Sequence, residues 1–252
     1  MKGKRIIPCL DTKDGKVVKG TNFVGLRELG NPVELASMYS AAGADELVLL
    51  DISATTEQRN TVIDIIQKVA NQIDIPLTIG GGIRSVDDIR RVLAAGADKV
   101  GINSAAVKNP ELVKEAIEEF GSNRIVIAID AKRVRNAWNV VTHGGSKDTG
   151  IPVIEWSKQV EAFGAGEILL TSVDADGVKE GFDIPLTKAV ADAVQIPVIA
   201  SGGVGKIEHF VEVFKETKAA AGLAASVFHE GTFTIKDVKD ACIEQGVEMC
   251  EA

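Results

Sequence analysis

Asp11 and Asp130 each close an apolar run with the character of a buried strand, Arg5-Ile6-Ile7-Pro8-Cys9-Leu10-Asp11 and Arg124-Ile125-Val126-Ile127-Ala128-Ile129-Asp130. A carboxylate at the C-terminal end of a buried parallel strand is costly to desolvate unless it is used or paired, and this chain carries that cost twice. Two such acids across one pocket supply what general acid/base chemistry needs. The competing reading, two strand-end acids held by hydrogen bonds alone, does not account for their matched positions.

A second set of residues suits an anionic ligand. Gly80-Gly81-Gly82 and Ser201-Gly202-Gly203 each lead from an apolar run into a helical pattern. Glycine lets the backbone approach an anion closely, and a following helix N-terminus presents unpaired N–H groups. Tight turns also use glycine for geometry alone. The positions favour the functional reading, because Gly82, Asn103 and Ser104 in the first half correspond to Gly203 and Ser226 in the second. Two equivalent anion sites predict an elongated ligand with a phosphate at each end and its reactive middle between Asp11 and Asp130.

The correspondence extends along the chain. Glu46-Leu47-Val48-Leu49-Leu50-Asp51 matches Glu167-Ile168-Leu169-Leu170-Thr171-Ser172, Ile75-Pro76-Leu77-Thr78-Ile79 matches Ile196-Pro197-Val198-Ile199-Ala200, and the offset stays between 119 and 122 positions. This indicates a duplicated half, about residues 1–120 and 121–252. Strands are expected at 6–10, 46–50, 77–79, 99–102, 125–129, 167–170, 198–200 and 220–224. Between them, apolar residues at spacings of three and four predict helices at 32–42, 61–73, 86–95, 110–120, 152–163, 184–194, 207–215 and 234–245. Asn31-Pro32 and Asn109-Pro110 read as helix starts, and Ser85 precedes Asp88 by the capping-box spacing. Eight alternating units in about 250 residues predict a closed (β/α)8 TIM barrel of two similar half-barrels, one domain over residues 1–252. An open doubly wound sheet would not explain two equivalent halves.

Composition sets limits. With 45% hydrophobic and 25% charged residues, the 252-residue chain can fill one large core, and no run approaches a membrane span. The start leads directly into the first strand, with no signal-peptide pattern, and Cys9, Cys242 and Cys250 are scattered without metal spacing. A reduced cytoplasmic protein without metal or cofactor is expected. The net charge of −8 argues against generic nucleic-acid binding.

Several motifs carry a family resemblance. Cys9-Leu10-Asp11 followed by Asp14-Gly15-Lys16-Val17-Val18-Lys19-Gly20, with Gly80-Gly81-Gly82-Ile83, Ala128-Ile129-Asp130-Ala131-Lys132, Thr171-Ser172-Val173-Asp174-Ala175-Asp176-Gly177 and Ala200-Ser201-Gly202-Gly203, closely resembles the cyclase subunit of imidazole glycerol phosphate synthase. The resemblance spans nearly the whole chain. It implies histidine biosynthesis, in which ammonia from a partner glutaminase attacks a bis-phosphorylated ribulosyl aminoimidazole carboxamide nucleotide. The products would be imidazole glycerol phosphate and an aminoimidazole carboxamide ribotide.

The same resemblance makes Asp11 and Asp130 the acid/base pair, with neither role assigned to either residue. It makes Lys19, Gly82, Asn103, Ser104, Thr171, Asp176, Gly177, Ser201, Gly202, Gly203, Ala225 and Ser226 the substrate-binding set. Lys19 then lies in a mobile active-site loop within 13–30, and a second such segment, 133–150 around Trp138, covers the site from the opposite side. Arg5, Glu46, Lys99 and Glu167, at strand beginnings, would form an ammonia gate, with Asp98 on the glutaminase docking surface. On their own those four charges read as ion pairs that stabilise the opposite face. The family usually has threonine where this chain has Val178. Two other readings stand beside this one: the isomerase of the preceding step, also a duplicated barrel, and a non-catalytic phosphate-ligand-binding or scaffold subunit.

Overall fold

The computed structural model describes residues 3–21, 24–52 and 59–251, with side chains outside 19–21, 24–27 and 59–61. The chain opens with β1 (Arg5–Lys13), a hairpin of β2 (Lys16–Thr21) and β3 (Val24–Gly30), and α1 (Pro32–Ala41). It continues through β4 (Leu47–Asp51), α2 (Arg59–Ala70), β5 (Leu77–Gly80), α3 (Val86–Ala94), β6 (Lys99–Ile102), α4 (Ser104–Lys108) and α5 (Glu111–Phe120). The second half holds β7 (Ile125–Val134), a hairpin of β8 (Ala137–Thr142) and β9 (Lys147–Pro152), α6 (Val153–Ala162), β10 (Glu167–Ser172), α7 (Ile184–Ala193), β11 (Val198–Ser201), α8 (Glu208–Glu216), β12 (Ala221–Ala224), α9 (Ser226–His229) and α10 (Ile235–Glu244).

Eight parallel strands close on themselves in the order β1-β4-β5-β6-β7-β10-β11-β12, with β12 returning to β1 through Arg5↔Ala221 to Pro8↔Ala224. This is the expected (β/α)8 barrel. Each expected strand forms, several of them longer: β1 runs on past Asp11 to Lys13, and β7 past Asp130 to Val134. The extensions correct two expectations. Where loops were expected, the described residues of 13–30 and 133–150 pair as antiparallel hairpins on the first and fifth barrel strands. Consecutive β-branched residues in Val17-Val18 and Val140-Val141 favour strand pairing.

Alternation along the strands sorts residues into two cores. Ile6 and Leu10 of β1, with Ile125, Ile127 and Ile129 of β7, pack outward against the helices. Ile7, Cys9, Val48, Val126, Leu169, Ile199, Ala221 and Leu223 form a second cluster, joined by Leu50, Ala128 and Ala225, that fills the barrel. Arg5, Ile7, Cys9 and Asp11 therefore occupy one inward row, with Arg5 at its lower end and Asp11 at its upper end. The same period places Asp130 above Val126 and Ala128, and Glu167 below Leu169 and Thr171.

Helix starts follow the sequence signals with one exception. The Asn31 side chain accepts from Val33 N at 2.9 Å with Pro32 next, and Ser85 Oγ accepts from Asp88 N at 3.2 Å. Asn109 does not cap: Pro110 takes the N-cap position, α5 begins at Glu111, and the bond from Leu112 N goes to the Asn109 carbonyl at 3.1 Å. No helix among the described residues is long and apolar enough to cross a membrane.

Candidate active site

The C-terminal ends of the barrel strands bring Asp11, Asp130 and Asp176 into one electrostatic environment, since the Asp176 charge acts on both of the other two. Burial, then the nearby Asp176, pushes the Asp11 carboxyl up to about 6, while a long contact from Cys9 Sγ at 3.8 Å opposes the rise. Asp130 is also raised by burial, against a hydrogen bond that Asn103 Nδ2 donates to its Oδ2 at 3.0 Å. Asp176 sits at the exposed mouth on the turn after β10, but protein crowds its carboxyl enough to raise it, against a bond from the Gly177 N–H. Carboxyls whose protons are held toward neutral pH can exchange them with a ligand, which solvated carboxylates do poorly.

Two candidate anion subsites flank this centre. β5 and β6 are neighbours, so the Gly81-Gly82 turn and the start of α4 at Asn103-Ser104 lie side by side. β11 and β12 are likewise neighbours, placing Gly202-Gly203 beside the start of α9 at Ala225-Ser226. Neither helix has a side-chain cap, which leaves first-turn N–H groups for a ligand. Gly81, Gly82, Gly202 and Gly203 all have positive φ, from 67° to 100°, as those close turns require. Gly177, with φ 78°, completes the second subsite from the turn after β10. Thr171 and Ser201 are paired across β10 and β11 on the inward row between the subsites.

Four supporting contacts carried no legible sequence signal. Ser172 Oγ donates to Asp183 at 3.1 Å, and the Ser172 carbonyl accepts from Asp176 N at 3.0 Å, which anchors the turn bearing Asp176. Asp174 accepts from Arg133 N at 2.6 Å and ties the second hairpin to the same turn. On that hairpin the Arg133 guanidinium lies over the Trp138 ring, 5.1 Å from its centroid. Cys9 beside Asp11 was visible only as part of a motif. The side chain of Lys19 lies outside the described residues, and its backbone pairs with Arg27 in the first hairpin. Val178 is exposed beside Gly177.

The other end of the barrel is closed by charges. Glu46 pairs with Arg5 at 2.8 Å and with Lys99 at 2.9 Å, Glu167 pairs with Lys99 at 3.1 Å and also with Arg5, and Thr78 Oγ1 donates to Glu46 at 2.6 Å. The four expected residues thus form a ring of alternating charge across the barrel floor, with Arg5, Glu46 and Glu167 buried and Lys99 partly so. Lys99 is its most exposed member, at 17% of its side chain. Asp98, exposed nearby, accepts from Leu77 N at 2.8 Å, as Asp45 does from Ile6 N at 2.7 Å. Among the described residues no His, Cys, Asp and Glu group could hold a metal ion.

The model of the family described as "Histidine biosynthesis protein" matches residues 5–234. The chain belongs to that family, and with it to the TIM-barrel enzymes of histidine biosynthesis.

Proposed function

We propose that this member of the histidine biosynthesis family is the cyclase subunit of an imidazole glycerol phosphate synthase. It would convert the bis-phosphorylated ribulosyl nucleotide and ammonia into imidazole glycerol phosphate, the aminoimidazole carboxamide ribotide and water, the ketone oxygen leaving as the water when ammonia adds. The observation that carries the reading is the buried pair Asp11 and Asp130, set between two uncapped helix starts with glycine turns. Each phosphate is held by one subsite, which lays the reacting middle of the substrate over the acids. As the ammonia nitrogen adds and the ring closes, one acid delivers a proton to the departing group while the other takes one from the attacking nitrogen. No electron transfer is needed for that chemistry. Thr171, Ser201 and Asp176 offer polar contacts to the substrate's middle, and the family resemblance assigns Lys19 to the substrate as well.

The charged ring at the opposite end supports the same reading. Ammonia would arrive there from a glutaminase docked on the N-terminal face, against Asp98 among others. Lys99 is the member best placed to swing aside, having the most solvent around it and a flexible stem. Cytoplasmic location follows from that pathway.

Incubating the purified chain with the open-chain bis-phosphate and an ammonium salt tests the assignment. Formation of the two products supports it. Rearrangement of the closed precursor aminoaldose instead identifies the isomerase of the preceding step, and phosphate-ligand binding without turnover identifies a scaffold.

A further inference from the structure

A duplicated barrel presents its two acids in matched surroundings, and symmetric surroundings would give both the same proton affinity. Acid/base chemistry needs them to differ. The structure breaks the symmetry beside each acid. Asn103 ends β6, the strand adjoining β7, and its amide reaches Asp130 at 3.0 Å. The equivalent residue beside Asp11, at the end of β12 adjoining β1, is Ala225, which has no donor. Cys9, two residues before Asp11, stands where Ala128 stands before Asp130, but a thiol at 3.8 Å is a weak donor.

Asn103 also forgoes its ordinary role. Asparagine is among the best residues for capping a helix, and Asn103 occupies the N-cap of α4 without a side-chain bond to it. Its Nδ2 goes to Asp130, and its Oδ1 is buried with no partner among the described residues. We propose that Asn103 is a positioning residue that makes Asp130 the ionised member of the pair and leaves the proton on Asp11. A hydrogen bond donated to a carboxylate favours the charged form, and that to Asp130 is the shorter and better donated of the two. Asp11 then starts as the acid and Asp130 as the base. That consequence rests on the cyclase reading; the order of proton affinities does not.

The other groups facing the pair do not undo the difference. Leu50 registers with Asp11 across β4, and Thr171 with Asp130 across β10, neither charged. Asp176 raises both acids. At Asp130 the lowering by Asn103 is larger than the rise due to Asp176, whereas at Asp11 the lowering by Cys9 is smaller than it.

The test is a carboxyl-carbon NMR titration of the ligand-free chain labelled at aspartate, with signals assigned by Asp11→Asn and Asp130→Asn. In the natural chain Asp130 is expected to titrate about one pH unit or more below Asp11, a tenfold difference in proton affinity. Asn103→Ala should raise the Asp130 midpoint and narrow the gap. Ala225→Asn, which gives Asp11 the same neighbour, should lower the Asp11 midpoint. The inference is overturned if Asp130 titrates at or above Asp11, or if Asn103→Ala, folded by circular dichroism, leaves the gap unchanged. Because no substrate is used, the expected order in a chain that makes neither product would refute the cyclase reading alone. The reverse order in an active chain would refute this inference alone.

Discussion

Gly81 and Gly202 hold the same relation to the strand beside them in the two halves of the barrel. A Cβ on Gly81 would lie 2.0 Å from the Asp51 carbonyl oxygen, and one on Gly202 would lie 2.8 Å from that of Ser172. Each glycine has φ near 90° and each leads toward one anion subsite. Both turns are thus pressed against the neighbouring backbone at equivalent places, and each glycine turn lies next to a helix start beside the other half's acid, α4 beside Asp130 and α9 at the end of the strand adjoining β1 and Asp11.

Gly81→Ala and Gly202→Ala should therefore destabilise strongly, because a methyl group would meet backbone that cannot yield, in addition to about 1–2 kcal/mol for the left-handed conformation. Gly82→Ala has φ 67° but meets nothing within 4 Å among the described residues, so only the conformational cost of about 1–2 kcal/mol applies. Denaturant unfolding of the three variants checks the order. Equal losses would show that the close approach to Asp51 contributes nothing.

Asp11→Asn and Asp130→Asn should each fold and each lose about 10²–10⁴-fold in turnover, the usual worth of a positioned acid or base. The amide keeps the shape and removes proton exchange. Steady-state assays with saturating ammonium measure this, and a variant with a near-natural rate would remove that residue from the mechanism.

Asp11 also makes the stability depend on pH. Its folded-state value of about 6 lies above the ordinary 3.8, so the folded chain holds that proton more tightly than the unfolded chain does. The resulting penalty of about 3 kcal/mol is fully present above pH 6, shrinks as pH falls through the folded value, and is gone below the unfolded one. Asp11→Asn should accordingly be the more stable protein at pH 8, by up to about 3 kcal/mol, with the difference vanishing near pH 3.5. Unfolding at the two pH values measures it. A variant less stable than the natural chain at pH 8 would contradict the burial cost.

The barrel was legible because each half repeats alternating strands and amphipathic helices, and two periods suffice to fix inward and outward rows. Asp11, Asp130 and the four ring residues could be placed from those rows alone. Side-chain choices that depend on tertiary neighbours were not legible. Asn109-Pro110 has the same dipeptide as Asn31-Pro32, yet only Asn31 caps, because Pro110 stands one position before α5 begins. Asn103 has the type of a cap and is diverted to Asp130, a partner 27 residues away. The hairpins were missed because glycines at 15, 20, 25 and 30 read as loop punctuation, while the pairing of β2 with β3 is set by contact with β1.

Anions should occupy both subsites. Crystals grown in phosphate or sulfate are expected to show one anion at the start of α4, near Gly82 and Ser104, and one at the start of α9, near Gly177, Gly203 and Ser226, because helix N-termini bind anions through N–H groups. Two empty sites, or anions at surface lysines alone, would contradict a ligand with two phosphate ends.

The two ends of the barrel should respond to different substitutions. Lys99 shares Glu46 and Glu167 with Arg5, so Lys99→Ala leaves two buried carboxylates on one guanidinium. Breaking a buried pair costs about 3–5 kcal/mol where both partners are dry, and the partial exposure of Lys99 should bring the loss toward the lower end. A folded Lys99→Ala chain has an altered floor and intact subsites, since the ring and the acids occupy opposite ends of the inward rows. Turnover supported by glutamine through a partner glutaminase should then change much more than binding of the bis-phosphate, because well-separated sites behave independently. Lys19→Ala should do the reverse, lowering turnover with ammonium and with glutamine alike. Assays of both variants with both nitrogen donors, at matched folded concentration, separate the cases. Equal loss with the two donors in Lys99→Ala, through weakened substrate binding, would show that the ring only stabilises the floor and that ammonia does not pass there.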